Sequence, residues 1–234
     1  MRRSVFLGCL AAAFLAGLAV AQSTTPPPDP RTVRLEGGRF APLTYEQMTP
    51  EQKKVFETLL NGPRRGAAGP FNILLRSPEM ANAAQLLGLE VRFNSSIPRK
   101  LSELAMLVTV RHWIVHFEWY AHSRSALAAG ISQPTIDAIK AGTRPTAMPP
   151  DEDAIYTFCN ELLTTKRVGD ATYQTVKDRL GERGVVDLIG IVAYYQMASM
   201  LLNVDRYPLP AGVKPELTPI RRRRQRSSSR YTSW

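Results

Sequence analysis

All three histidines of the chain lie between His112 and His122, in the run Arg111-His-Trp-Ile-Val-His-Phe-Glu-Trp-Tyr-Ala-His122. Histidine is the side chain whose ordinary pKa lies nearest neutrality. Glu118 and His122 are four residues apart and share one face of a helix. A carboxylate in that position orients the imidazole and raises its pKa, which suits general acid/base work without a cofactor. His112 and His116 form a second pair at the same spacing. Two histidines with a carboxylate also suit zinc or iron. However, the spacing His-x-x-x-His-x-Glu-x-x-x-His matches no familiar ligand pattern, and His116 and His122 do not share a face. No metal is therefore expected. Thiol chemistry needs a nucleophilic cysteine, and the window has none. Cys159 sits in an apolar helical stretch and reads as an inert buried thiol. A plainer reading remains open: Glu118 and His122 as a surface pair, and Trp113 and Trp119 as core.

These residues need a helical scaffold. Thr49-Pro-Glu-Gln52 has the pattern of a helix start, with threonine as cap, proline in the first turn and glutamine at the capping-box position. Val55, Phe56, Leu59 and Leu60 then form one apolar face, and Asn61-Gly-Pro63 stops it. Ser77-Pro-Glu79 opens a second helix through Val91, and Asn94-Ser-Ser96 breaks it. Leu101, Leu104, Leu107 and Val108 recur at helical spacing. Gly130 ends the helix that carries His122. A short helix runs from Ser132 to Gly142, another from Asp151 to Thr165, and Asp170 caps one reaching Leu180. The stretch from Val185 to Val204 is nearly all apolar. It is long enough for a membrane span, but Asp187, Gln196, Ser199 and Asn203 favour a buried or subunit-interface helix. No strand alternation stands out, so the expected fold is an all-α bundle of seven or eight helices.

The ends have a different composition. Arg2-Arg3, an apolar run from Val5 to Val20 and Ala19-Val-Ala21 read as an export signal over residues 1–21, cleaved after Ala21, with a loose twin-arginine character. The expected location is periplasmic or secreted. Cleavage would remove Cys9 and leave Cys159 as the sole thiol, so no internal disulfide is expected. Residues 22–39, with Pro26-Pro-Pro28, read as a proline-rich linker, and 40–210 as the helical domain. The formal net charge is +10. Arg2, Arg3 and six arginines in a basic tail over 211–234 (Arg221, Arg222, Arg223, Arg224, Arg226 and Arg230) account for eight of those charges. The tail reads as disordered and solubilising, with weak contact to an anionic surface as its functional alternative. Nucleic acid is not an expected partner.

Leu101-Ser-Glu103, Arg111-His-Trp113, Phe117-Glu-Trp-Tyr-Ala-His122 and Ala128-Ala-Gly130 together resemble the carboxymuconolactone decarboxylase family, which also contains the alkylhydroperoxidase D-like proteins. The resemblance runs from about Pro70 to Pro210. It takes in Gly69-Pro-Phe-Asn-Ile-Leu-Leu-Arg-Ser-Pro78 and the stretch from Tyr194-Tyr195 to Leu201-Leu-Asn203. The peroxidase-like branch carries a Glu, then Cys-x-x-Cys, then a His. On that pattern the Glu falls on Glu103 and the His on His122, while the cysteine positions fall on Val115 and Glu118. Both thiols are absent. The decarboxylase-like branch has a carboxylate and a tryptophan before the same histidine, as Glu118 and Trp119 stand before His122.

The resemblance implies a bundle of this type, assembled as trimers or hexamers with the site near a subunit interface, and a lyase acting on a small carboxylated lactone or related acid. His122, Glu118 and Glu103 would be its catalytic groups, with His112 as a second acid/base candidate and His116 a bystander. Arg111 or Arg124 would hold a substrate carboxylate, and Trp119 would face the substrate. No cofactor is needed, because the lactone carbonyl accepts the electrons left by carbon dioxide. A thiol-type antioxidant protein and a non-catalytic oligomeric binding protein are the alternatives. An exported protein also leaves room for a related lyase or isomerase with another substrate. Glu103 poses a geometric problem: on a straight helix it lies about 22 Å from Glu118. It can join the site only if the helix breaks near Ile114-Val115 or if a neighbouring subunit supplies it.

Overall fold

The structure, a computed structural model, describes residues 26–219. The expected export signal and the arginines from Arg221 to Arg230 lie outside the described residues. Within them the chain is all-α, and no strand occurs. The helices are α1 (Pro50–Asn61), α2 (Phe71–Leu74), α3 (Pro78–Leu89), α4 (Arg99–Trp113), α5 (His116–Ala128), α6 (Gln133–Ala141), α7 (Pro150–Thr165) and α8 (Asp170–Asp205).

Local chemistry explains most of the boundaries. Thr49 Oγ1 accepts from the Gln52 amide at 3.3 Å and Gln52 Oε1 accepts from the Thr49 amide at 2.9 Å, the reciprocal capping box expected from sequence. Ser132 caps α6 by accepting from the Thr135 amide, and Gly142 ends it in a left-handed conformation. Gly169, rather than Asp170, occupies the cap of α8, and Asp170 lies in the first turn. The expected stop after Leu180 survives as a bend in α8: Gly181 has φ 69°, a region that favours glycine.

α4 is the central helix. Every residue from Leu101 to Arg111 is buried, because α5, α7 and α8 pack around it. Its core merges with that of α6 through Ile136 and Ile139. A second cluster joins α1, α2 and α3 through Phe56, Leu60, Phe71 and Ala81. The apolar half of α8 supplies Leu188, Ile191, Tyr195 and Leu202 to these cores. α8 is long and apolar enough to cross a membrane by length and composition, but half of its most apolar window is buried within the fold. Asp187 accepts from the Ser96 amide and hydroxyl, both at 2.7 Å, and so fixes the turn into α4.

The packed chain extends beyond the expected 40–210 at both ends. Leu35, within the expected linker, is buried against the α1–α3 cluster. The carboxylate of buried Asp205 accepts from the Gly38 and Phe40 amides, tying this segment to the end of α8. Leu217, within the expected tail, is 6% exposed and joins the α4–α8 core. Composition misled here because single apolar anchors in polar, proline-containing segments leave no periodicity to read. Leu217→Ala should lower the unfolding free energy by about 2–4 kcal/mol in urea titration. An unchanged midpoint would restore the expected boundary at Pro210.

Candidate active site

The path from α4 to α5 decides what His122 meets. α4 stops at Trp113, and Ile114 turns left-handed at φ 54°, ψ 49°. The Val115 amide reaches back to the Val110 carbonyl and the Ile114 amide to the Arg111 carbonyl, both at 3.1 Å. This is the Schellman pattern, usually built on glycine. A β-branched residue there costs about 1–2 kcal/mol. Packing offsets the cost: Ile114 lies partly buried against the main core, and Val115 is buried with Ile73 and Leu202. Val115, extended, then starts α5. The break falls where the Glu103 geometry required it, and α5 folds back against α4 within one chain.

As a result, His122 lies between two carboxylates. Its Nδ1 is 2.8 Å from Glu103 Oε2, and its Nε2 is 3.3 Å from Glu118 Oε2. The three residues are 3%, 7% and 6% exposed respectively, so the cluster is almost out of water. Burial opposes a charged imidazole, but hydrogen bonds and attraction from Glu103 and Glu118 outweigh it and raise the His122 pKa. An imidazolium can donate from both ring nitrogens at once, which matches this placement. Neither nitrogen then has a lone pair turned toward a metal. The other oxygen of Glu118, Oε1, faces Gly69.

His122 and Glu118 open on a cavity of about 230 Å³, whose wall also holds Arg64, Arg92, Tyr194 and Tyr195. The Tyr195 ring stands edge-on to His122, with centroids 4.9 Å apart. Its buried hydroxyl has no hydrogen-bond partner among the described residues. Burial drives the Tyr195 pKa far up, against a lowering by Arg92, so the phenol keeps its proton. Arg64 Nη2 donates to the Tyr194 hydroxyl at 3.3 Å, and its guanidinium lies 4.7 Å over the Phe71 ring.

The other expected site residues go elsewhere. Arg111 is buried, and its Nε and Nη2 donate to the Lys140 and Thr218 carbonyls at 2.8 and 2.9 Å. It clamps the C-terminal segment and does not line the His122 cavity. Arg124 is exposed, 3.7 Å over the Tyr120 ring, and donates to the Tyr120 carbonyl. Trp119 is buried in the main core. His112 lines a different cavity, of about 150 Å³, with Arg111, Tyr156 and Asn160. His116 lines a third, with Asn203, Arg206 and Tyr207. There burial and Arg111 lower its pKa. The histidine window therefore divides among three cavities: the break at Ile114 separates His112 from the other two, and His116 and His122, six residues apart on α5, point from different faces of that helix.

Sequence reasoning missed Arg64, Arg92 and Tyr195. Arg64 lies in a glycine-rich connection without periodicity, and Arg92 in a π-helical turn, Glu90–Asn94, that continues α3. Such turns re-aim side chains and recur at functional sites, but no residue pattern announced this one.

No protein-family model and no curated protein matches this chain.

The raised His122 pKa has a definite consequence for stability. Its folded value lies above the ordinary unfolded value of about 6.5, so the folded state holds the proton more tightly. The resulting stabilisation is complete below about 6.5 and is lost as pH rises through the folded value. In urea titrations the stability of the wild type relative to His122→Asn should therefore fall as pH rises from about 6. A pH-independent difference would contradict the geometry.

Proposed function

We propose that this protein is a cofactor-free general acid/base enzyme, a lyase of the carboxymuconolactone decarboxylase type acting on a small carboxylated lactone or related acid. The carrying observation is the buried Glu103–His122–Glu118 arrangement at the wall of a 230 Å³ cavity. On loss of carbon dioxide, the electrons of the broken carbon–carbon bond move onto the lactone carbonyl oxygen. The resulting enolate needs nearby positive charge and a proton delivered to carbon. An imidazolium between two carboxylates supplies both, since His122 is kept protonated and Nε2 shares its proton with a residue on the cavity wall. Glu103 is buried behind it and acts as a positioning residue. Water then restores the proton to His122.

Two further features bear on this reading. Cys159 is fully buried in α7, and burial pushes its thiol pKa well up. With Val115 and Glu118 at the cysteine positions of the related branch, dithiol reduction of peroxides has no support. A homo-oligomer is part of the proposal. α8 leaves Val186, Ile189, Met200 and Val204 exposed, and α3, which packs against it, leaves Leu86 and Leu87 exposed, apolar side chains that association with a second copy would cover.

Turnover should be measured as carbon dioxide release from γ-carboxylated butenolides, whose ring double bond conjugates the γ-carbon with the lactone carbonyl. His122→Asn and Glu118→Gln should each lower kcat by about 10²–10⁴-fold, the usual contribution of a positioned acid/base group. Equal rates in wild type and His122→Asn would remove His122 from the mechanism. Ligand binding without turnover would favour the non-catalytic binding protein.

A further inference from the structure

We infer that Arg64 and Arg92 form an anion subsite beside His122 that selects a small ligand carrying a single carboxylate. Both guanidinium groups lie on the wall of the His122 cavity. Neither has a carboxylate within ion-pair distance among the described residues. Arg92 has no protein hydrogen-bond acceptor there, and its guanidinium lies 5.7 Å from the centre of the Phe93 ring. Arg64 has the Tyr194 hydroxyl alone. A guanidinium carries five N–H donors, so most of these donors remain for a ligand. The two cations also repel: Arg92, after burial, is among the influences that lower the Arg64 pKa. An anion between them relieves that repulsion and uses the planar geometry that favours carboxylate.

The site is also built to hold Arg64 in place. A Cβ on Gly88 would stand 2.6 Å from the Tyr194 hydroxyl oxygen and 3.1 Å from Arg64 Nη2. Only a glycine on α3 lets this pair pack so closely against the helix backbone. Stacking on Phe71 fixes the other side of the guanidinium. Arg92 projects from the π-helical turn that interrupts the ordinary helical spacing after α3.

Charge sets the ligand class. With the imidazole placed as a double donor between two carboxylates, Glu103 and Glu118 count as negative and His122, Arg64 and Arg92 as positive. The formal balance of the cavity is one positive charge. One carboxylate neutralises it, whereas a dicarboxylate would leave an excess negative charge beside Glu118. The inference uses the cavity assigned above to acid/base chemistry, but binding requires no turnover.

Calorimetric titration of the full chain at low salt tests it with named probes: acetate, benzoate and γ-butyrolactone-γ-carboxylate as monoanions, the methyl ester of the last as the neutral form, and succinate as a dianion. At least one monoanion should bind. The ester should bind about tenfold or more weakly than its acid, and succinate more weakly than the best monoanion. Arg92→Gln, at an exposed position, and Arg64→Gln should each weaken monoanion binding about tenfold or more. No monoanion binding, equal binding of acid and ester, or unchanged affinity in Arg92→Gln would overturn the subsite. Arginine-dependent binding without turnover would keep the subsite and remove the lyase reading. Turnover with arginine-independent binding would do the reverse.

Discussion

An imidazole held between two buried carboxylates is the constraint on which the remaining structure turns. Three ionisable groups almost out of water are stable only with close geometry on every side. Glu103 comes from the buried middle of α4, and Glu118 and His122 come from one face of α5. They meet because the chain reverses at Ile114 and Val115. The fold accepts a left-handed β-branched residue there, and the surrounding core holds it. Strain of this kind persists only where packing over-determines it. Here it lies at the junction that assembles the cluster.

The same constraint accounts for the division of roles among nearby residues. α8 covers the cluster with Tyr195 edge-on to His122 and carries Tyr194 to Arg64. α3 ends in a π-helical turn that carries Arg92 to the cavity wall. The cavity thus combines the His122 imidazole, a carboxylate and two guanidinium groups, with the Tyr195 ring in its wall. Small-molecule sites characteristically have a few converging polar groups in a mostly pre-formed cleft. The acid/base reading proposed above needs no thiol, and the chain's one described cysteine is sealed in the core.

Much of this was legible in the sequence, and the reasons for the rest are physical. Helical periodicity located the all-α elements, and the spacing of Glu118 and His122 put them on one face. The distance problem at Glu103 even located the break. Arg111 is an instructive failure. Its position beside the histidines suggested a ligand-binding role, but two backbone carbonyls from distant segments hold its Nε and Nη2 away from the His122 cavity. Nothing local in sequence reveals such a tertiary partner. Arg64 and Arg92 are the converse: an irregular loop and a π-helical turn lack the periodicity by which a side chain's direction is read. Leu35 and Leu217 show that one buried anchor can bring an apparently unstructured segment into a fold.

The central claim is that Glu103 and Glu118 hold His122 as a buried imidazolium. Nitrogen-15 NMR titration of histidine-labelled protein tests it most directly. His122 should carry protons on both ring nitrogens at pH 7, with a titration midpoint above the ordinary value of about 6.5, and Glu103→Gln should move the midpoint down. A neutral His122 at pH 7, or a midpoint that does not respond to Glu103→Gln, would contradict it.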